Sequence, residues 1–151
     1  MPGPLRYYED YEVGAIYELG STSISEAEII DFARQFDPQP FHVDPAAARQ
    51  SMFGGLIASG WHTCSMMMRL MADNYLNPET SLGSPGVDEV RWLKPVRPGD
   101  LLTGKMRILD KRESRSKPSI GLVINEASLQ NQQGDVVATV RATNLVRRRP
   151  A

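Results

Sequence analysis

Between Ser59 and about Leu76 the chain carries a stretch whose pattern is helical and whose surface must be hidden. Trp61, Cys64, Met68, Met71 and Tyr75 recur at helical spacing as one stripe, and Met66, Met67 and Leu70 spread it around much of the circumference. Such a helix has to be largely buried, so the remaining elements must form its cover. Beyond Asn77-Pro78 the pattern changes to alternation. Val87–Leu93 reads as a strand, and Leu102, Gly104, Met106 and Ile108 line one face of the next. Ser119–Leu129 is apolar on both faces through Ile124, as for a strand buried on two sides. Asn131–Asp135 then turns the chain into a last strand, Val136–Val146. One buried helix ahead of an antiparallel meander predicts an α+β domain with the sheet around the helix.

The first third of the chain is shorter in its elements. Residues 1–14 mix Pro, Gly, Tyr and acids without a period and read as an arm, with Tyr7, Tyr8 and Tyr11 suited to covering a sheet edge. Ala15–Ser23 alternates as a first strand. Ser25 and Glu28 form a capping box, and Ile29, Phe32, Ala33 and Phe36 recur at helical spacing, so a helix is predicted from about Glu26 to Phe36. Asp44 followed by Pro45 predicts a further helical turn over Pro45–Arg49, which gives Asp44 a structural role as N-cap.

With 17 Lys and Arg against 18 Asp and Glu, net charge −1, no bulk field favours nucleic acid or an anionic membrane. The single Cys64 excludes an intramolecular disulfide and a cysteine zinc site, and His42 and His62 lack metal-ligand spacing, so no metal is expected. No apolar run near the N-terminus reads as a signal or membrane segment, and a cytoplasmic protein is expected. At 151 residues the expectation is one domain, residues 1–151, with the arm at 1–14 and a basic tail at 147–151.

Chemistry concentrates in Asp37-Pro38-Gln39-Pro40-Phe41-His42, directly after the first helix. An acid and an imidazole lie five residues apart on a segment that two prolines are expected to hold extended, so both side chains can converge on one bound atom. The plain alternative is an aspartate that caps a turn beside an ordinary loop histidine. Downstream, Phe53-Gly54-Gly55 allows a tight bend or a close backbone approach to a ligand, and Gly60 opens the long helix.

This run resembles the signature of the MaoC-like dehydratases, the (R)-specific enoyl-CoA hydratase branch of the hotdog-fold families: Asp-x-Asn-Pro-x-His, then Asp-Pro, then a Phe-Gly segment ending in glycine. Asp37, Pro40, His42, Asp44, Pro45, Phe53, Gly54 and Gly60 occupy matching places. Gln39 replaces the usual Asn, and Ser59 stands where a His commonly precedes the glycine. Leu93–Asp100 resembles a further family segment, so the likeness spans about residues 25 to 102.

The resemblance implies a single hotdog domain, a homodimer or larger homo-oligomer, and reversible addition of water to a 2-enoyl thioester. Asp37 and His42 would grip the water, and the Gly60 N–H would meet the thioester oxygen at a helix start, where free amides favour negative charge. Gln39, Pro40, Phe53, Gly54, Gly55 and Ser59 would surround the substrate, whose carrier, coenzyme A or acyl carrier protein, belongs to the substrate itself; no separate cofactor is implied. Met68 occupies the place where some relatives carry an auxiliary serine. The helix methionines suit core filling and an acyl tunnel alike. Arg112, Arg115 and Lys117, with Arg147–Arg149, are either solvated charge or a patch for coenzyme A phosphates. An acyl-CoA thioesterase of the same fold is the rival enzyme, and a non-catalytic acyl-binding module the rival class. Thioesterases of this fold generally carry their carboxylate on the long helix, and Ser59–Arg69 contains no Asp or Glu.

Overall fold

The computed structural model describes residues 1–151. After a 3-10 turn at Tyr8–Asp10, the elements run β1 (Ile16–Ser23), α1 (Glu26–Phe36), α2 (Pro40–Val43), α3 (Pro45–Arg49), α4 (Gly60–Asn74), β2 (Val87–Trp92), β3 (Leu101–Glu113), β4 (Ile120–Gln130) and β5 (Val136–Arg147). The five strands form one antiparallel sheet in the order β1-β3-β4-β5-β2. β3, β4 and β5 are the expected meander, while β1 and β2 take its two edges. The sheet curls around α4, the hotdog arrangement, and the core lies between them: Leu19, Leu102, Met106, Val123, Leu129 and Val137 from the sheet meet Met67 and Leu70 from the helix. Each fully buried side chain of this kind contributes about 1.5–3 kcal/mol relative to exposure.

Local chemistry sets the boundaries. Ser25 Oγ accepts from Glu28 N–H while the Glu28 carboxylate accepts from Ser25 N–H, the reciprocal capping box that starts α1. Asp44 accepts from Ala46 and Ala47 N–H, and Pro45 opens α3.

Three expectations need correction. The segment after Asp37 is not extended throughout, because Pro40 is the first residue of the helical turn α2. Proline lacks an N–H that this position does not need, and its fixed φ suits a helix start. On α4 the buried face is turned from the expected stripe. His62, Thr63, Met67 and Leu70 are buried, whereas Trp61 is 57% and Met68 47% exposed. A helix apolar around most of its circumference leaves its phase to the tertiary contacts. β4, finally, alternates strictly between buried and half-buried positions, so only one face is enclosed.

In the arm, the buried Tyr8 ring lies against Gly121 of the central strand β4, while Tyr11 packs edge to face on Tyr17 of the edge strand β1. Glu9 and Asp10 in this turn pair with Arg148 and Arg149 of the tail. Exposed pairs of this kind give at most about 1 kcal/mol each, so buried Tyr8 and Tyr11 hold the arm more than its charges do. No helix is long and apolar enough to cross a membrane.

Candidate active site

Asp37 is the C-cap residue of α1, its N–H bonding Ala33 C=O at 2.8 Å. The single turn α2 then brings His42 back toward it. His42 is 4% exposed, its ring against Phe41, and its Nδ1 lies 2.7 Å from the Ile57 carbonyl oxygen. A carbonyl only accepts, so Nδ1 carries the hydrogen, and in the neutral ring Nε2 is the basic nitrogen. That Nε2 faces Asp37 Oδ2 at 3.3 Å. Two lone-pair acceptors so close call for hydrogen between them: a protonated ring, or a water donating to both.

The carboxylate is held from two other sides. Gln39 Nε2 donates to Asp37 Oδ1 at 2.6 Å, and Ser59 Oγ donates to Oδ2 at 2.7 Å. Burial alone would raise the Asp37 pKa, but the Gln39 and Ser59 donors, with a smaller contribution from His42 when its ring is protonated, outweigh it and hold the carboxyl below the usual carboxylate range. Ser59 is also the N-cap of α4, its Oγ accepting from Trp61 N–H at 3.3 Å. Gly60, the first residue of α4, keeps its own N–H unpaired within the chain.

Asp37, His42 and Gly60 share the wall of one cavity of about 510 Å³. That volume is in the ordinary range for a small-molecule site. Gln39 and Phe53 also line it; Pro40, Gly54, Gly55 and Ser59 do not. Ser59 is completely buried behind Asp37, and Gly54 serves the loop by a φ of +68°. Arg97 donates to the Phe53 carbonyl at 2.5 Å, and Lys94, another lining residue, pairs with Asp135 at 3.0 Å.

Sequence reasoning missed the other side of the cavity. Trp61 and Trp92 meet edge to face at 5.1 Å, and Trp92 Nε1 donates to the Gly60 carbonyl at 3.0 Å. A Cβ placed on Gly60 would fall inside the Trp92 indole, so this contact requires glycine. With Leu93, Val96 and Val137 these rings make the wall largely apolar. No spacing could reveal it, since β2 reaches α4 only through the fold. Elsewhere on α4, burial raises the Cys64 pKa and favours an inert thiol. His62 stacks on Phe32 at 4.5 Å, away from the cavity lining, and burial lowers its pKa. No group of three or more His, Cys, Asp or Glu side chains is arranged to hold a metal ion.

Comparison with known proteins agrees with the geometry. The crystal structure of a MaoC-like dehydratase from Rhodospirillum rubrum superposes with a TM-score of 0.90 at 39% identity, covering 97% of this chain and all of that one. The unliganded R-hydratase PhaJ1 from Pseudomonas aeruginosa gives a TM-score of 0.73 at 26% identity over 95% of this chain and 86% of its own. An uncharacterized protein of Bacillus subtilis, YdeM, is 29% identical over 125 residues, 83% of this chain and 87% of that protein. The family model for the MaoC-like domain matches residues 12–131, from the end of the arm through the β4–β5 turn. A match of that extent takes in most of the core together with Asp37, His42 and the start of α4, and the chain therefore belongs to the MaoC-like domain family.

Proposed function

We propose that the protein is an (R)-specific hydratase/dehydratase that adds water reversibly to a 2-enoyl thioester. The observation that carries this reading is the approach of Asp37 Oδ2 to His42 Nε2, 3.3 Å, in a cavity that also presents the Gly60 amide. One water donating to both acceptors is left with a lone pair free to attack C3. As the new C–O bond forms, Asp37 takes one water hydrogen, and the enoyl π electrons move toward the thioester oxygen. Gly60 N–H meets the growing negative charge there, helped by the positive end of α4. Return of the proton from Asp37 to C2 completes the addition, with hydroxyl on C3, hydrogen on C2 and the carboxylate restored. Dehydration is the same path reversed.

The structural likeness to an R-hydratase supports this chemistry. The apolar wall of Trp61, Trp92 and Val137 suits the acyl chain, and Arg97, held on the Phe53 carbonyl, provides local positive charge for a phosphorylated carrier such as coenzyme A or acyl carrier protein. A reducing cytoplasm suits such a reaction and the lone Cys64. Purified protein given a panel of 2-enoyl-CoA thioesters is expected to bleach the conjugated enoyl absorbance of at least one, with (R)-3-hydroxyacyl product. Binding of acyl-CoA without turnover of any member would contradict hydration and leave an acyl-binding module.

A further inference from the structure

The side chains of Ser59 and Gln39 both end on the Asp37 carboxylate. Ser59 Oγ has one hydrogen. It already accepts from Trp61 N–H, and its bond to the ionised carboxylate can only be a donation, so the hydrogen points at Oδ2. Gln39 Nε2 likewise can only donate to Oδ1. Each carboxylate oxygen thus holds one protein donor, which fixes the rotation of the carboxyl group. The free lone pair of Oδ2 is left for the side facing His42 Nε2. Ser59 also caps the helix whose first amide belongs to Gly60, so one hydroxyl links the base to the element that bears the unpaired N–H.

We propose that Ser59, assisted by Gln39, is a positioning residue that aims the Asp37 carboxylate and sets its distance to the Gly60 amide. Ser59 touches no substrate in this scheme; it acts through Asp37. The inference rests on the hydratase reading for its catalytic consequence, but the hydrogen bonding itself can be read without turnover.

The test compares Ser59→Ala and Gln39→Leu with the unaltered protein. Gln39 is exposed, so its replacement leaves the fold intact even if loss of the cap in Ser59→Ala does not. Each substitution removes a donor to the ionised carboxylate, so the Asp37 pKa rises and the acid limb of the pH–rate profile moves to higher pH. The loss should fall on kcat, on the order of tenfold to a hundredfold for a misaligned group, with KM little changed. Ser59→Thr, which keeps a capping hydroxyl, should recover much of the rate. Independently of any substrate, the carbon-13 carboxyl titration of Asp37, assigned by its disappearance in Asp37→Asn, should shift upward in both variants. An Asp37 titration unmoved by either substitution would overturn the proposal. If the titration moves but no enoyl thioester is turned over, the positioning stands and the hydratase reading fails.

Discussion

At the scale of single residues, the site depends on what Gly60 lacks. The Trp92 indole fills the space a Cβ would take and donates to the Gly60 carbonyl, so Gly60→Ala must displace the ring or bend the start of α4. Forcing one methyl into such a contact typically costs about 1–3 kcal/mol. The expected outcome is a lower unfolding midpoint, a changed tryptophan emission and loss of activity together; unchanged fluorescence with full activity would refute the tight contact. Asp37, His42 and Gly60 stood out in the sequence through the family resemblance, since spacing alone left a turn-capping aspartate and an ordinary loop histidine as a reading; the structure places all three on one cavity. Trp92 did not stand out, since 32 positions separate it from Gly60 and the contact exists only once β2 has paired with β5. Ser59 and Gln39 could be seen as departures from a pattern, but their common target could not. The available signal was that each is a side chain able to donate a hydrogen bond.

Elements are where the local rules worked best and where their limits are clearest. The capping box, the Asp44 cap and the alternation of β3 each specified a boundary or a face, because each is decided within a few residues. The α4 phase was not decided locally. Its apolar side chains exceed what one face can bury, and the sheet selects the side that carries Thr63, Met67 and Leu70. The two prolines favour an extended segment by local rules, yet Pro40 begins a helical turn, and that turn lets His42 meet Asp37. A test at this scale is Asp44→Ala, which strips the acceptor from Ala46 and Ala47 N–H. A loss of about 1 kcal/mol in urea unfolding is expected for an N-cap of this kind. An unaltered midpoint would show that α3 stands without it.

For the molecule as a whole, the sheet is closed by neither of its edges. β2 pairs only with β5, and within it Val87 and Trp92 are each about half exposed. An open edge next to large apolar side chains invites pairing with another strand. We propose that two copies join along this edge, and light scattering at micromolar concentration should give the mass of a dimer; a monomer there would count against it. The single hotdog domain was legible because one buried helix followed by alternating strands has few packings, whereas the curvature that shapes the cavity depends on contacts between distant segments.

The central claim, that Asp37 and His42 act on one water, is tested most directly by their single and double substitution, assayed on the best enoyl thioester of the panel. Asp37→Asn and His42→Ala should each lower kcat by at least about a hundredfold with the fold retained by circular dichroism. Because both serve one step, the double variant should be little slower than the slower single one. Multiplying losses, or near-normal turnover by Asp37→Asn, would contradict the claim.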